Sequence, residues 1–520
     1  MLLRRLTWLF LLSPGLVPLL AWPLPFQDSL GHQGVVGALH WSFYAPEKLD
    51  SVLTYQGLFG PNRFFYYLPL SLSWLFGPDL ATRLAYAVGF ASVAPLAKRG
   101  LRLAELDERW ALAVPPIVLG RTLACGFIPN TVAFGMLAWV IGAAIAPTRS
   151  TRARALETFA AGGFCLGVHV FVGLAGAGFL LVAGLLDAAT RKFRNALERC
   201  GAALFVVWLQ FGPLAGPKKE GVAASGAKAI WDALNPPDLG RGARALEWSF
   251  AWLVHTSWDD VVHALWGLGL LASCLGLLVR WVVRSTRARP SLRDALPRLK
   301  LLAFASGTVV ILTCVGENIG PPFNWWGGWL RAPAILSVVL VFAAAPSASA
   351  SATRENTGAL WLTVAAAVVF VGAISVQITR AAWIEYDGLY DVLEEAPEGK
   401  RVCGMWFAEE KATDGFPGAP HWYVGNAYMV FHGGNTAHNL LGDSAYPIYR
   451  GPIHYTQPGW GMGGGFDPRR HFEWCELYLV RIDPTRPDRP FDAVRRAHLE
   501  LLDSSGMWKL YARKGPATPL

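Results

Sequence analysis

The sequence predicts a polytopic α-helical membrane protein that ends in a small α/β domain. Of its 520 residues, 53% are hydrophobic and only 16% are charged, whereas a soluble protein would carry nearer a quarter charged residues. Apolar runs long enough to cross a bilayer recur along the first 380 residues. Beyond about residue 380, charged and turn-forming residues become frequent, and this change marks the beginning of the polar domain.

Basic loops set the expected orientation of the spans, because Lys and Arg favour the cytoplasmic side. The apolar region 157–186 is flanked by two such loops, so we expect a helical hairpin that turns near His169. With the hairpin counted as two, about eleven segments put the amino terminus in the cytoplasm and the tail outside. The segments are 6–24, 80–97, 110–128, 131–146, 157–170, 171–186, 200–215, 261–283, 299–316, 328–345 and 358–379, and the basic loops are 98–109, 149–154, 191–199 and 280–300.

The first span begins directly after Arg4 and Arg5, and residues 20–26 lack a small-x-small cleavage site. We therefore expect this span to remain uncleaved in the mature protein. The chain then divides into a transmembrane domain, 1–380, and an extracytoplasmic α/β domain, 381–520. The loops expected on the outer side, together with the tail, are about 25–79, 216–260 and 316–331.

The charge of the chain bears on whether it binds nucleic acid, and its cysteines bear on whether it can form a disulfide. The net charge is +9, but most of the basic residues lie in short loops between spans, which indicates orientation in a bilayer and no nucleic-acid partner. The seven cysteines include no CxxC motif. Cys403 and Cys475 both lie in the polar tail, and they could form a disulfide in an oxidising compartment.

The polar tail has the sequence pattern of a small α/β domain. Residues 400–407, 475–481 and 507–513 have the composition or the alternation of strands. Residues 491–502 have apolar residues at helical spacing, and we expect a helix there.

An acidic residue stands in the loop that follows the first span. Asp28 comes after Pro23 and Pro25, which hold it beside the bilayer surface. His32 is four residues further on, so a helix that begins near Asp28 would present both side chains on one face. A carboxylate at this position can act as a base on a substrate delivered by the lipid, or it can simply cap the helix.

Several short motifs, taken together with this topology, resemble one enzyme superfamily. They are Asp28 in the first outer loop, Phe65-Tyr-Tyr-Leu-Pro69 in the aromatic segment 63–77, Phe76-Gly-Pro-Asp-Leu-Ala-Thr-Arg83, the hairpin at 157–186 and Trp329-Leu-Arg-Ala-Pro333. The pattern resembles the GT-C superfamily of integral membrane glycosyltransferases, and within it the branch of protein O-mannosyltransferases and aminoarabinose transferases of lipid A. That family often carries two adjacent acidic residues in its first loop, whereas Asp28 is followed by Ser29.

The resemblance implies a multi-pass protein of the inner (plasma) membrane with an active site on the outer face. The enzyme would move a sugar from a polyprenyl-phosphate donor to a lipid, glycan or protein acceptor. The catalytic residues would be Asp28, as the base, and His32, which would orient Asp28 or share a divalent metal ion with it. The residues expected to bind the lipid phosphate or the substrate are Arg63, Tyr66, Tyr67, Arg121, His169 and Arg331.

Other interpretations of these residues stay open. Arg121 and Arg331 lie near the outer ends of spans, where a long side chain also reaches lipid headgroups. Asp259, Asp260 and His263 could form a metal-binding face or begin an interfacial helix. The rival interpretation is a transporter or an envelope assembly factor on the same scaffold, although no charged pathway crosses several spans and no pair of matched halves is apparent. A third, weaker interpretation is another enzyme acting on lipid-linked substrates.

Overall fold

The computed structural model is mostly helical. It describes residues 2–55, 57, 62–124, 126–147, 150–211, 238–240, 257–288, 292–315, 318–319, 325–326, 328–348, 354–406, 421, 423–436, 448–450, 475–482 and 496–515. The helices are α1 (Leu2–Leu12), α2 (Val17–Leu20), α3 (Ser29–Tyr44), α4 (Tyr67–Leu103), α5 (Pro115–Val118), α6 (Arg121–Ala124), α7 (Ile128–Ile145), α8 (Arg152–Val168), α9 (Val170–Ala189), α10 (Phe193–Phe211), α11 (Ser257–Ala288), α12 (Leu292–Cys314), α13 (Gly328–Ala344), α14 (Arg354–Glu385), α15 (Asp391–Glu394) and α16 (Gly425–His432).

Within these residues, five helical stretches are long and apolar enough to cross a membrane, and two shorter ones are apolar. Each of the five overlaps a segment that was predicted to span, so the chain is a multi-pass membrane protein. The total of about eleven spans stays a prediction. The five are Phe64–Leu103, Ile128–Ile145, Val170–Ala189, Ala295–Cys314 and Gly358–Glu385, and the shorter two are Leu265–Arg280 and Arg331–Ala344.

Two predicted spans are not continuous helices. Segment 6–24 is divided into α1, a 3-10 turn at Ser13–Leu16 and α2. Segment 110–128 is divided among a 3-10 turn at Glu108–Ala113, α5 and α6. Proline explains both interruptions, since it lacks the backbone N–H and clashes with the preceding turn.

The predicted hairpin is present. Helix α8 ends at Val168 and α9 begins at Val170, so the chain turns at His169, which has an extended backbone. The aromatic segment 63–77 also forms a separate helical piece, because α4 is kinked at Gly77, where φ is 72° and ψ is 163°. Helix α7 lies against both α4 and the hairpin at the centre of the helical core.

A five-stranded mixed sheet forms the carboxyl-terminal part of the chain, and we call it the C-terminal sheet. Its strand order is β5-β4-β7-β9-β8, with β4 parallel to β5 and β7 and the remaining pairs antiparallel. The strands of this sheet are β4 (Arg401–Trp406), β5 (Asn435–Thr436), β7 (Leu477–Arg481), β8 (Leu499–Ser505) and β9 (Trp508–Arg513), and the other short strands are β1 (Leu53–Tyr55), β2 (Asn318–Ile319), β3 (Trp325–Trp326) and β6 (Ile448–Arg450).

The three strands predicted in the tail are confirmed as β4, β7 and β9. The helix predicted over 491–502 is wrong at its carboxyl end, because Leu499 begins strand β8; residues 491–495 lie outside the described part of the chain. Cys403 and Cys475 are joined by a disulfide, with their Cα atoms 5.7 Å apart, which is an ordinary separation for such a bond.

The first outer loop and the C-terminal sheet are packed together. Nε of Arg401 in β4 donates to Oδ2 of Asp50 at 2.9 Å. Strand β1 of the same loop pairs with β6, which lies outside the C-terminal sheet. Helix α16 lies on α3, where Cβ atoms at Gly34 and Gly37 would collide with Asn426 and Val430. The two glycines therefore allow α16 to approach α3, the helix that follows Asp28, closely.

Two further groups of polar side chains form hydrogen bonds within the structure. Asp187 accepts hydrogen bonds from Arg199 and, at 2.8 Å, from Nζ of Lys300, and all three side chains are almost fully buried. Elsewhere, Asp79 of α4 accepts from Nε1 of Trp22 at 2.8 Å and from the hydroxyl of Tyr390 at 3.0 Å.

Candidate functional site

Asp28 stands at the amino end of α3, as its position in the sequence predicted. It is the N-cap residue, but its side chain makes no capping hydrogen bond with the helix, so capping does not account for the carboxylate. Gly126, with φ of 80°, lies directly against it, because a Cβ there would collide with the backbone nitrogen of Asp28. The loop before α7 therefore packs directly against Asp28.

Arg331 supplies positive charge close to Asp28. It lies in the first turn of α13 and is buried, with 8% of its surface exposed. Its guanidinium carbon is 4.1 Å from the ring centroid of Phe127 and 5.7 Å from that of Phe171. Cation–π contacts of this kind help to hold the guanidinium in place near the two rings.

The surroundings of Asp28 change its acidity. The side chain keeps some solvent exposure, yet crowding by protein atoms raises the pKa of Asp28 to about 7, while the charge of Arg331 acts in the opposite direction. Desolvation favours the neutral acid, and its effect here exceeds the attraction of the arginine. Asp28 therefore changes between its acid and base forms near neutral pH.

His32 lies one helical turn beyond Asp28, as predicted. Its backbone N–H donates to the carbonyl of Asp28 at 2.9 Å, and its Nδ1 is 2.6 Å from the hydroxyl oxygen of Tyr66. Burial lowers the pKa of His32 to about 3, so the imidazole is neutral. Tyr66 thus joins the site through His32.

His169, at the turn of the hairpin, faces the same group. Arg331 and His32 both lie within electrostatic reach of its ring. Its Nδ1 is buried, and no other residue in the described ranges forms a hydrogen bond with it. A buried polar atom of this kind requires an explanation, since most buried polar atoms in proteins are paired.

Arg63 and Tyr67 form a neighbouring group at the edge of this site. Nη1 of Arg63 donates to the carbonyl of Gly57 at 3.0 Å, and Arg63 interacts electrostatically with Tyr67. Asn62 accepts a hydrogen bond from the backbone N–H of Val170 at 2.7 Å, which ties this segment to the hairpin.

The predicted site residues therefore separate into three sets. Asp28, His32, Tyr66, His169 and Arg331 come together, whereas Arg63 and Tyr67 lie beside them. Arg121 belongs to α6, and its side chain lies outside the described residues.

Sequence reasoning missed three polar residues near this group. Tyr86 of α4 and Tyr423 from the C-terminal region are both within electrostatic reach of Asp28. Asn130, in the first turn of α7, is fully buried, and neither atom of its carboxamide pairs with another described residue. The only sequence signal for Asn130 was a polar residue after Pro129 at the start of an apolar run.

No group of three or more His, Cys, Asp and Glu side chains converges within the ranges that the structure describes. Asp28 faces the cation of Arg331, and His32 is engaged by Tyr66, so these residues do not fit a three-ligand metal centre. The side chains of Asp259, Asp260 and His263 are outside the described part.

No protein-family model matches the chain, and no curated protein matches its sequence. Among solved structures, the fold is similar to the crystal structure of ArnT from Cupriavidus metallidurans bound to undecaprenyl phosphate. The likeness covers 99% of each chain with a TM-score of 0.52 and 12% sequence identity. The chain has an ArnT-like fold. At 12% identity this likeness concerns the fold alone.

Proposed function

We propose that this protein is a membrane glycosyltransferase of the GT-C kind that takes its sugar from a polyprenyl-phosphate donor. The acceptor would be a lipid, glycan or protein. The observation that carries the proposal is a carboxylate, Asp28, within electrostatic reach of a buried cation, Arg331, whose guanidinium lies over the ring of Phe127. The similar fold of ArnT bound to undecaprenyl phosphate supports the choice of a polyprenyl phosphate.

The proposed reaction assigns different tasks to these two residues. The oxygen of the acceptor hydroxyl forms a bond to the anomeric carbon of the sugar, and Asp28 takes the hydroxyl proton. The bond between that carbon and the phosphate oxygen breaks, and the phosphate leaves with the electron pair. Its growing negative charge is stabilised by Arg331, whose planar guanidinium suits phosphate oxygens.

The acidity of Asp28 suits the role of a general base. A base works best when its pKa lies near the working pH, because the ionised form is then both present and sufficiently basic. An ordinary aspartate, with a pKa near 4, would be a far weaker base. The value of about 7 for Asp28 therefore favours proton transfer at neutral pH.

The remaining predicted residues would hold the donor. Arg63, Arg121, Tyr66, Tyr67 and His169 stay proposals for binding the phosphate or the sugar. His32 is a positioning residue in this scheme, since its ring is already held by Tyr66 at 2.6 Å. No step requires a metal ion, and a divalent ion stays an untested possibility of the family resemblance.

We propose that the site faces the non-cytoplasmic side of an inner (plasma) membrane. Two observations support this orientation. The disulfide between Cys403 and Cys475 suits an oxidising compartment, and Arg401 of the sheet that contains it is hydrogen-bonded to Asp50 in the loop following Asp28. The amino terminus would then be cytoplasmic, with a transmembrane domain at 1–380 and an extracytoplasmic α/β domain at 381–520.

The decisive experiment compares Asp28→Asn with the exposed control Glu500→Gln in proteoliposomes. The assay supplies polyprenyl-phosphate sugars and a membrane extract as the source of acceptors, and it measures release of undecaprenyl phosphate. Asp28→Asn should abolish the release while the protein is still inserted in the membrane, and Glu500→Gln should behave as wild type. Undiminished release by Asp28→Asn would rule out Asp28 as the base.

The alternative is a non-catalytic transporter or assembly factor on the same scaffold, and the solitary carboxylate in the first loop is the observation in its favour. Such a protein would bind undecaprenyl phosphate without releasing it from any glycosylated donor.

A further inference from the structure

Asn130 is an uncharged, buried polar side chain at the start of the apolar helix α7. It lies in the first turn of α7 and is 0% exposed. Neither Nδ2 nor Oδ1 forms a hydrogen bond with another residue of the described ranges. By contrast, the hydroxyl of the next residue, Thr131, donates to the carbonyl of Phe127 at 3.1 Å. Local structure therefore satisfies Thr131 and leaves the Asn130 carboxamide available.

The packing of α7 on α8 brings Asn130 to the same level as His169. Sγ of Cys165 in α8 lies 3.9 Å from the carbonyl oxygen of Ala133 in α7. Asn130 is one turn before Ala133, and His169 is one turn after Cys165, with its N–H bonded to the Cys165 carbonyl at 2.9 Å. The short link between α7 and α8 makes the two helices antiparallel, so the two turns lie at the same end of the pair.

The Arg331 guanidinium lies at that end as well. The guanidinium contacts Phe127, which is one turn before Asn130, and Phe171, which is two residues after His169. The Nδ1 atom of His169 is buried and, like the Asn130 carboxamide, forms no hydrogen bond with another described residue. Two neutral hydrogen-bonding groups thus stand beside the cation.

The chemistry of the two groups indicates which part of a ligand they fit. A carboxamide offers one acceptor and one donor group without charge, and a hydroxyl group likewise donates and accepts. A phosphate has no proton to give at neutral pH, and Arg331 already offers it a charged partner. Neutral groups beside a phosphate-binding cation are therefore suited to the hydroxyl groups of an attached sugar.

We propose that Asn130 and His169 form the subsite that recognises hydroxyl groups of the donor sugar. This inference rests on the function proposed above. It adds that the lipid phosphate and the sugar of the donor are bound by different side chains. Arg331 would bind the phosphate of any polyprenyl phosphate, glycosylated or bare, whereas Asn130 would contribute only when a sugar is attached.

The test measures affinities of the purified full-length protein in detergent for bare undecaprenyl phosphate and for undecaprenyl-phosphate-linked hexose, N-acetylhexosamine and aminopentose. Wild type should bind at least one glycosylated lipid about tenfold more tightly than the bare lipid, the effect expected of one or two added hydrogen bonds. Asn130→Leu should reduce that preference to less than twofold and leave the affinity for the bare lipid unchanged. Asn130→Ser serves as a second variant if the leucine disturbs folding, and Thr131→Val is the matched control, which should keep the wild-type preference.

Several outcomes would overturn the proposal. One is an unchanged preference in Asn130→Leu together with a higher melting temperature, which would identify Asn130 as an unpaired core amide without a ligand. Another is a wild-type protein that binds bare undecaprenyl phosphate but prefers none of the glycosylated lipids. Failure to bind any of these lipids would instead refute the proposed function, so the two failures are distinguishable.

Discussion

Arg331 stacks on Phe127, with the guanidinium carbon 4.1 Å from the ring centroid, and the same guanidinium acts on the carboxyl of Asp28. One cation is thus positioned by an aromatic ring while it influences the acidity of the proposed base. In the proposed reaction that cation also neutralises the leaving phosphate. A change at Arg331 should therefore alter both the rate and its pH dependence.

We expect Arg331→Gln to shift the acidic limb of the pH–rate profile to higher pH. Transfer requires ionised Asp28, so in wild type the rate should rise with pH through about 7. The charge of Arg331 lowers the pKa of Asp28, and its removal should shift this limb to higher pH. The maximal rate should fall by about 10- to 100-fold, since a charged hydrogen-bond partner of the phosphate is lost.

In the same experiment, Arg331→Lys distinguishes the effect of the positive charge from that of the planar guanidinium. Lysine keeps the positive charge, so the limb should stay near its wild-type position, but it cannot stack or bind two phosphate oxygens as a planar fork. The maximal rate should still fall. Arg380→Gln, at an exposed arginine of α14, is the control and should change neither quantity. An unshifted limb in Arg331→Gln would show that Asp28 and Arg331 are not coupled.

Asp28→Asn should stabilise the protein at alkaline pH although it abolishes transfer. The pKa of Asp28 is raised from 3.8 to about 7 in the folded protein, so the folded state holds the proton more tightly than the unfolded state. Ionisation of Asp28 then destabilises the fold increasingly as pH rises from about 4 to 7. The variant should melt above wild type at pH 8, with a gap that narrows toward pH 4, as measured by tryptophan fluorescence. A gap independent of pH would contradict the raised pKa.

We expect a second carboxylate, Asp79, to contribute to stability and not to transfer. Its partner Tyr390 donates to it at 3.0 Å and accepts from Nε2 of Gln33 at 3.2 Å, which joins α4 to the C-terminal region. Tyr390→Phe should lower the free energy of unfolding by about 1 kcal/mol and preserve transfer, because the carboxylate of Asp79 loses one of its hydrogen-bond donors. Tyr511→Phe in β9 is the matched control for melting. Loss of transfer without loss of stability would instead place Asp79 in the active site.

The buried ion group at Asp187 should be the most sensitive to substitution. Asp187→Asn leaves Arg199 and Lys300 buried with positive charge, and such a change costs about 3–5 kcal/mol. Glu108→Gln breaks the more exposed pair with Arg102 and should cost at most about 1 kcal/mol. Thermal melting of the two variants in one detergent tests the difference. Equal losses would mean that the Asp187 group is not an isolated buried network.

Local sequence was enough to predict part of the site. Pro23 and Pro25 mark the end of the first apolar segment, and the helix after Asp28 puts His32 one turn away, as expected. The basic loops around 157–186 required a hairpin, and this placed His169 at its turn. In both cases the signal lies within a few residues of the feature that it predicts.

The residues that were missed depend on distant contacts. Tyr423 reaches Asp28 from almost 400 positions away, and no periodicity in a single sequence records such a contact. Asn130 looked like an ordinary polar start of a span, and only its burial singles it out. The spacing of apolar residues before Leu502 fits either a helix or a strand. Residues from Leu499 onward form a strand because they pair with β9.

The packing of α16 on α3 has a consequence for biosynthesis. About 380 residues separate the two helices, which at 5–20 residues per second amounts to roughly 20–80 s of translation. Throughout that interval the newly made α3 has no α16 to cover Gly34 and Gly37. Tyr423, just before α16, is the last of the residues named near Asp28 to be made. A ribosome that stops before codon 423 would release a chain with every proposed catalytic side chain but an unfinished active centre.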